Sequence, residues 1–285
     1  MKIAFFGTPE IAVTVLQELA KAGIIPDLIV ANPDAKVGRT QIITPPPTIL
    51  WANARSIPIF QPDTLKEKAD LLPISNIKWD LFIVVAYGKI MPRWLVELPE
   101  YGTLNVHPSL LPHLRGASPI RSAILNDMRQ TGVTIMRMDE KMDHGPIIAT
   151  EAVTIDEAKW PIDGQEFDTL LATVGGKLLA TVIPDYLAGV ISPVEQNHAE
   201  ATFSRKITKE MGELKLDPYK LPSGELAYQL LCKIRAFSGW PETFFIHESK
   251  RIKIKAARLA EDGSLLITRI IPEGKKEMDF ASYFT

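Results

Sequence analysis

Cysteine is almost absent. Cys232 is the only one in 285 residues, which excludes an intrachain disulfide and any multi-cysteine zinc or iron–sulfur site. A reducing compartment fits that count. Neither sign of charge dominates: 32 Lys and Arg oppose 34 Asp and Glu, a net of −2. No uninterrupted apolar run approaches the ~18 residues of a membrane-crossing helix. The opening MKIAFFGTPE is too short in apolar residues for a signal-peptide core and reads as a first strand. The expectation is a cytoplasmic protein with no membrane partner. Sequence motifs are missing too. Gly7 stands alone where a dinucleotide-binding G-x-G-x-x-G would begin, and neither a phosphate-binding G-x-x-x-x-G-K-S/T nor an H-E-x-x-H occurs. Histidines 107, 113, 144, 198 and 247 show no zinc spacing, so no metal is expected. The five tryptophans are scattered and read as packing residues rather than a base-stacking platform.

What remains has ordinary globular proportions, with 46% hydrophobic and 23% charged residues. The length suggests about two domains. Charge is unevenly spread: residues 205–285 hold 15 basic against 11 acidic side chains, and residues 1–204 hold 17 against 23. The densest basic patch is Lys250, Arg251, Lys253, Lys255 and Arg258. A polyanionic partner at the C-terminal end is one reading of that asymmetry; a solvated strand face is the other.

Residues 2–6 read as a buried strand. Thr8 suits a helix cap, Pro9 the first helical position and Gly23 the position after the helix end. Between them Ile11, Val15 and Leu19 recur at helical spacing. A second strand over 27–32 completes a βαβ unit. Short β-rich runs follow at 57–60, 81–87, 103–107, 133–138 and 147–155, and a long helix is predicted over about 164–188. This alternation predicts an α/β fold, a doubly wound, mostly parallel sheet, over residues 1–189. Residues 33–47, with three consecutive prolines, read as a long surface loop, and 190–207 as a linker. Beyond it a helix over 223–237 precedes two strands, 251–259 and 265–271, joined across Glu261-Asp262-Gly263. Residues 208–285 are thus a second, small, β-containing domain.

Ligands of open α/β sheets bind at the carboxyl ends of the strands. The strand TLNVH ends there with Asn105 and His107, two apart and so on one face. An amide donor beside an imidazole suits acyl transfer; a core histidine next to a turn asparagine is the competing reading. The proline-rich segment 108–120 follows as a rigid loop that presents backbone to a ligand. A second loop, 138–147, offers Asp139, Glu140 and Asp143. One of these acids can orient the imidazole and hold its charged form, but spacing does not say which.

Taken together, FFGTPE, VVAYGKIMP (84–92), NVHPSLLPHLRGASPI (105–120), TGVTIMRMDEKMDHGPI (131–147), RKITKEMG (205–212), IRAFSGWP (234–241) and EGKKEM (273–278) resemble the methionyl-tRNA formyltransferase family nearly end to end. NVHPSLLP with MDHGPI marks the wider group of 10-formyltetrahydrofolate transferases, and FGTPE, the loop PDAKVGR (33–39), KITKE and RAFSGWP narrow it to the tRNA enzymes. The resemblance implies a Rossmann-like formyltransferase domain followed by a small OB-like β-barrel that contacts tRNA. It implies transfer of a formyl group from 10-formyltetrahydrofolate to the α-amine of initiator methionyl-tRNA by a monomer, without a metal. Asn105, His107 and Asp143 match the catalytic trio. Ser109, Leu110, Leu111 and Pro112 match the folate-site motif, and Val85, Ala86, Tyr87, Gly88, Ile90 and Asp139 would line the pterin pocket. Arg39, in the loop that meets the acceptor end of the tRNA, together with Lys206, Arg235, Lys253 and Lys255, would contact the nucleic acid. Two departures stand out. Gln41 and Ile42 occupy the place of a lysine pair, and the stretch after Trp240 is short, so a reduced barrel is expected. The same catalytic residues also suit a formyltransferase for an amino-sugar nucleotide or other small amine, or a hydrolase of the same folate.

Overall fold

The computed structural model describes residues 1–38 and 41–284. Arg39, expected at the tRNA, lies outside the described residues. In chain order, β1 (Ile3–Gly7) leads into α1 (Glu10–Lys21), β2 (Leu28–Val30), the hairpin strands β3 (Ala35–Val37) and β4 (Ile42–Thr44), α2 (Pro47–Asn53) and β5 (Ile59–Phe60). The single-turn helix α3 (Leu72–Ser75) precedes β6 (Leu81–Val85), and α4 (Arg93–Val96) precedes β7 (Thr103–His107). Then come β8 (Arg115–Gly116), α5 (Pro119–Leu125), β9 (Gln130–Arg137), β10 (Ile147–Thr154) and α6 (Gly164–Leu187). The chain closes with β11 (Phe203–Ser204), α7 (Gly224–Ala236), β12 (Thr243–His247), β13 (Lys250–Leu259), β14 (Leu265–Pro272), β15 (Met278–Asp279) and α8 (Ala281–Phe284).

The large sheet has the order β10-β9-β7-β6-β1-β2-β5. Its centre is parallel: β1 pairs with β2 and β6, and β6 with β7. β9 joins β7 antiparallel, with His107 opposite Thr134. This is the expected Rossmann-like α/β fold. Strands β1, β2 and β6 are buried throughout, which is why they read as continuous apolar runs rather than alternating ones. One face packs Phe6, Val30, Phe82 and Val84 against Trp79, Tyr87, Met91 and Leu95. Asn105 pairs in register with Val84, so Asn105 and His107 share that face of the sheet.

The opposite face is covered by α6. By length and hydropathy this helix could cross a membrane, yet it is a core helix with Phe167, Leu171, Leu179 and Ile183 buried and Gln165, Glu166, Lys177 and Asp185 exposed. Its Gly175-Gly176 pair sets the approach. A Cβ at Gly175 would sit 2.6 Å from Val106 Cγ1, and one at Gly176 would sit 2.7 Å from Glu18 Cβ on α1. Val106, between the two polar residues of β7, is therefore wedged from behind.

Thr8 does not cap α1. Pro9 takes that position without a side-chain bond, and the Thr8 hydroxyl instead accepts from Asn32 N at 3.2 Å. Gly23 ends the helix at φ +78°, the left-handed geometry its position suggested. The expected loop 33–47 contains the strands β3 and β4, and Ile42 and Ile43 of β4 are exposed.

By contacts the chain forms two units: Met1–Arg115, Gly132–Val153 and Thr169–Thr202, and then Gly116–Thr131, Thr154–Asp168 and Phe203–Thr285. In the second unit α5 packs on α7, and Asp127 Oδ1 accepts from Trp160 Nε1 at 2.5 Å and Tyr228 OH at 2.6 Å. Its antiparallel sheet runs β12-β13-β14-β15. Phe245, Ile252, Ile254, Ile267 and Ile270 fill its core with Leu231 and Ile234 of α7. This small four-stranded antiparallel sheet is consistent with the reduced barrel that the short C-terminal stretch implied.

Candidate active site

The end of β7 and two loops of the first unit build the site. His107 is only 4% exposed. Its Nε2 lies 3.1 Å from the carbonyl oxygen of Leu114. A carbonyl only accepts, so Nε2 carries the hydrogen and donates. Its Nδ1 faces Asp143 Oδ1 at 3.5 Å, too long for an ordinary N–H···O bond and close enough for an ion pair when the ring is charged. Of the three acids in the 138–147 loop, Asp143 is the one turned to the imidazole. Asp139 bonds His144 Nδ1 at 2.6 Å instead and accepts from Lys141 N at 2.9 Å. Asn105 is half-buried on the same strand face.

The loop after β7 is held by two hydroxyls, its own Ser109 and Thr134 of β9. Ser109 Oγ donates to His113 O at 2.6 Å, and Thr134 Oγ1 donates to Ser109 O at 2.7 Å while accepting from Leu111 N at 3.1 Å. These bonds carry the chain past Pro112 and bring the Leu114 carbonyl back over the imidazole. Ser109 and Leu111 are buried, and Leu110 and Pro112 half-buried.

The turn after β6 alternates. Val85 and Tyr87 are buried while Ala86 and Gly88, at φ +46° and +81°, are exposed. The Tyr87 side chain belongs to the core against Phe6, and burial pushes its phenol up to about 12. What this turn offers outward is backbone. Asn32 Nδ2 braces it by donating to Tyr87 O at 2.9 Å, and Asn32 Oδ1 is buried without a partner. Ile90 is 86% exposed.

The basic residues differ in setting. Lys206 is exposed. Lys253 and Lys255 both donate to the Glu242 carboxylate, the latter at 2.7 Å, so this patch carries its own counter-charge. Arg235 is half-buried, with Nε lacking a partner. Gln196 is a residue that sequence reasoning missed. It lies in the stretch read as a linker, yet it is 5% exposed and bonded to the Asp143 loop. A glutamine in a run with few apolar residues gives no burial signal.

The formyl transferase family profile matches residues 1–167, and that of its C-terminal domain matches residues 206–264. The methionyl-tRNA formyltransferase of Listeria innocua is 36% identical, over all of this chain and 95% of that one. That of Bacillus velezensis is 34% identical over 97% and 92%. This chain belongs to the methionyl-tRNA formyltransferase family. Among solved structures, methionyl-tRNA formyltransferase from Clostridium thermocellum superposes with TM-score 0.62 at 18% identity, covering 98% of this chain and 99% of that one. A 4-N formyltransferase from Francisella tularensis gives TM-score 0.63 at 23% identity over 87% and 93%. Those two likenesses concern the fold. In this chain the amide and the imidazole thus stand at the carboxyl end of β7, and the loop between β9 and β10 brings a carboxylate to the imidazole.

Proposed function

We propose that this chain transfers a formyl group from 10-formyltetrahydrofolate to the α-amine of initiator methionyl-tRNA, as a cytoplasmic step in starting translation. The observation that carries this reading is the orientation of His107. Nε2 is committed to the Leu114 carbonyl, and Nδ1 is left on the side of Asp143, on the strand face that also carries Asn105.

The donor supplies an activated formyl carbon. The fit to a folate rests on the outward backbone at Ala86 and Gly88, on the unpaired Asn32 Oδ1 behind that turn, and on the Ser109–Pro112 loop. A flat heterocycle rich in N–H and C=O groups pairs with such backbone. The amine must attack neutral. A peptide α-amine titrates near ~7.7–8.0, so an appreciable share is neutral at pH 7. Asn105 donates a hydrogen bond to the formyl oxygen as negative charge develops there. With Nε2 occupied, the ring lends a second donor from Nδ1 only in its imidazolium form, which Asp143 compensates. In the neutral form Nδ1 accepts the proton that the attacking amine sheds, and it returns one to the departing nitrogen. The proton count therefore closes without a metal. Loss of one oxyanion donor typically costs ~2.7–4 kcal/mol of barrier.

Arg39, Lys206, Arg235, Lys253 and Lys255 are the candidate contacts for tRNA phosphates. The test is an acceptor panel with 10-formyltetrahydrofolate: charged initiator tRNA, charged elongator tRNA, an amino-sugar nucleotide, and no acceptor. Formylmethionyl-tRNA from the initiator alone supports the proposal. Formylation of the sugar, or formate release without an acceptor, sinks it.

A further inference from the structure

Behind the Asp143 loop lies a buried amide that accepts two hydrogen bonds and donates two, which fixes its orientation. Gln196 and Arg115 are 5% and 4% exposed. Arg115 Nε and Nη2 donate to Gln196 Oε1 at 3.1 and 2.6 Å. A guanidinium has only donors, so the oxygen end of the amide must face it. The NH2 end is thereby turned to two backbone carbonyls, Asp143 O at 3.0 Å and Gly145 O at 2.6 Å. A flipped amide would lose all four bonds, so the orientation follows from the partners.

Those two carbonyls flank the bend that aims Asp143. Its backbone is left-handed, at φ +49°, a conformation that a non-glycine residue keeps only where the surroundings enforce it. On the other side, a Cβ at Gly145 would run into the Arg137 carbonyl, so the loop is pinned from both directions. Arg115 reaches a second point of the same loop. Its Nη2 donates to His198 Nδ1 at 2.9 Å, and His198 stacks on His144 with centroids 4.0 Å apart. We propose that Gln196, oriented by Arg115, is a positioning residue that aims the Asp143 carboxylate at His107. The proposal rests on the formyl-transfer reading of the site.

The isosteric variant Gln196→Glu keeps the acceptor toward Arg115 and removes both donors. The Asp143 and Gly145 carbonyls would then face a carboxylate oxygen. The expected loss in kcat is about ten- to a hundredfold, the scale of a misplaced catalytic group. KM for Met-tRNA and for the folate should stay within about threefold, which separates positioning from binding. In the substrate-free protein the His107 ring 15N resonances should move. Arg115→Lys, with one donor nitrogen in place of the two-nitrogen fork, should give a smaller shift of the same kind, and it carries both readouts if Gln196→Glu fails to fold. Gln229→Ala, an exposed position on α7 bonded to Glu225, should leave both unchanged. A folded Gln196→Glu variant with normal kcat overturns the proposal, as does one with unmoved His107 resonances. If the wild-type protein formylates no Met-tRNA, the functional reading falls. The ring resonances then decide positioning alone: a shift supports it and none overturns it.

Discussion

Replacing Asp143 by asparagine isolates one quantity, the charge beside His107. Asparagine is nearly isosteric and tolerates the left-handed backbone at φ +49°, so the loop should keep its course. The carboxylate lies 3.5 Å from Nδ1, and the two side chains are 5% and 14% exposed. At ~3.5 Å, unit charges attract by about 1.2 kcal/mol in bulk water and about 4.7 kcal/mol at an effective dielectric of ~20. At ~1.4 kcal/mol per decade, these bounds correspond to a rate loss of roughly sevenfold to ~2,300-fold. The low exposure favours the upper part of that range. Single-turnover formylation of initiator Met-tRNA reads the effect directly. The expected outcome is a loss in kcat within those bounds, with both KM values and the thermal midpoint nearly unchanged. Activity within twofold of wild type would refute the role given to this carboxylate.

Three further outcomes follow from the fold. Gly175→Val drives a side chain into Val106, already 2.6 Å from a first Cβ. It should cost about 1–3 kcal/mol in urea unfolding and lower kcat by shifting β7; an unmoved midpoint would contradict the wedge. Glu242 pays desolvation that would raise its pKa, but hydrogen bonds from Lys253 and Lys255 outweigh it and hold the carboxyl below its ordinary 4.5. With the folded value depressed, its stabilising contribution is complete above the unfolded value and is lost as pH falls through the folded one. Unfolding free energies measured from pH 6 to 3 should therefore fall less steeply in the Lys253→Met, Lys255→Met double variant than in wild type, and identical slopes would contradict the pairing. Burial pushes the Cys232 thiol up to about 11, so a thiol reagent at pH 8 should label it only on unfolding; rapid labelling of the native protein would contradict its burial.

The large sheet was legible because its strands are buried on both faces and stand out as apolar runs. The 250–272 hairpin was legible because its strand pattern switches across a turn signal. The β3–β4 hairpin was not, since its three-residue strands are too short to show a period. β12 gives no strand signal because Thr243–His247 mixes buried aromatics with polar ends. The grouping of 116–131 and 154–168 with the C-terminal residues rests on contacts between segments far apart in sequence, which local pattern does not carry. At the site, spacing put Asn105 and His107 on one face but left the acid open among three candidates. The fold turns Asp143 to the ring and Asp139 to His144. Which imidazole nitrogen is free was invisible in the sequence, because a backbone carbonyl seven residues downstream fixes it.

The tautomer of His107 tests that central claim most directly. With 15N-labelled histidine, at a pH where the ring is neutral, the account expects a pyrrole-type, protonated Nε2 and a pyridine-type Nδ1. Gln196→Glu should disturb Nδ1 first. A ring protonated on Nδ1 with a bare Nε2 would contradict the Leu114 anchor and the chemistry built on it.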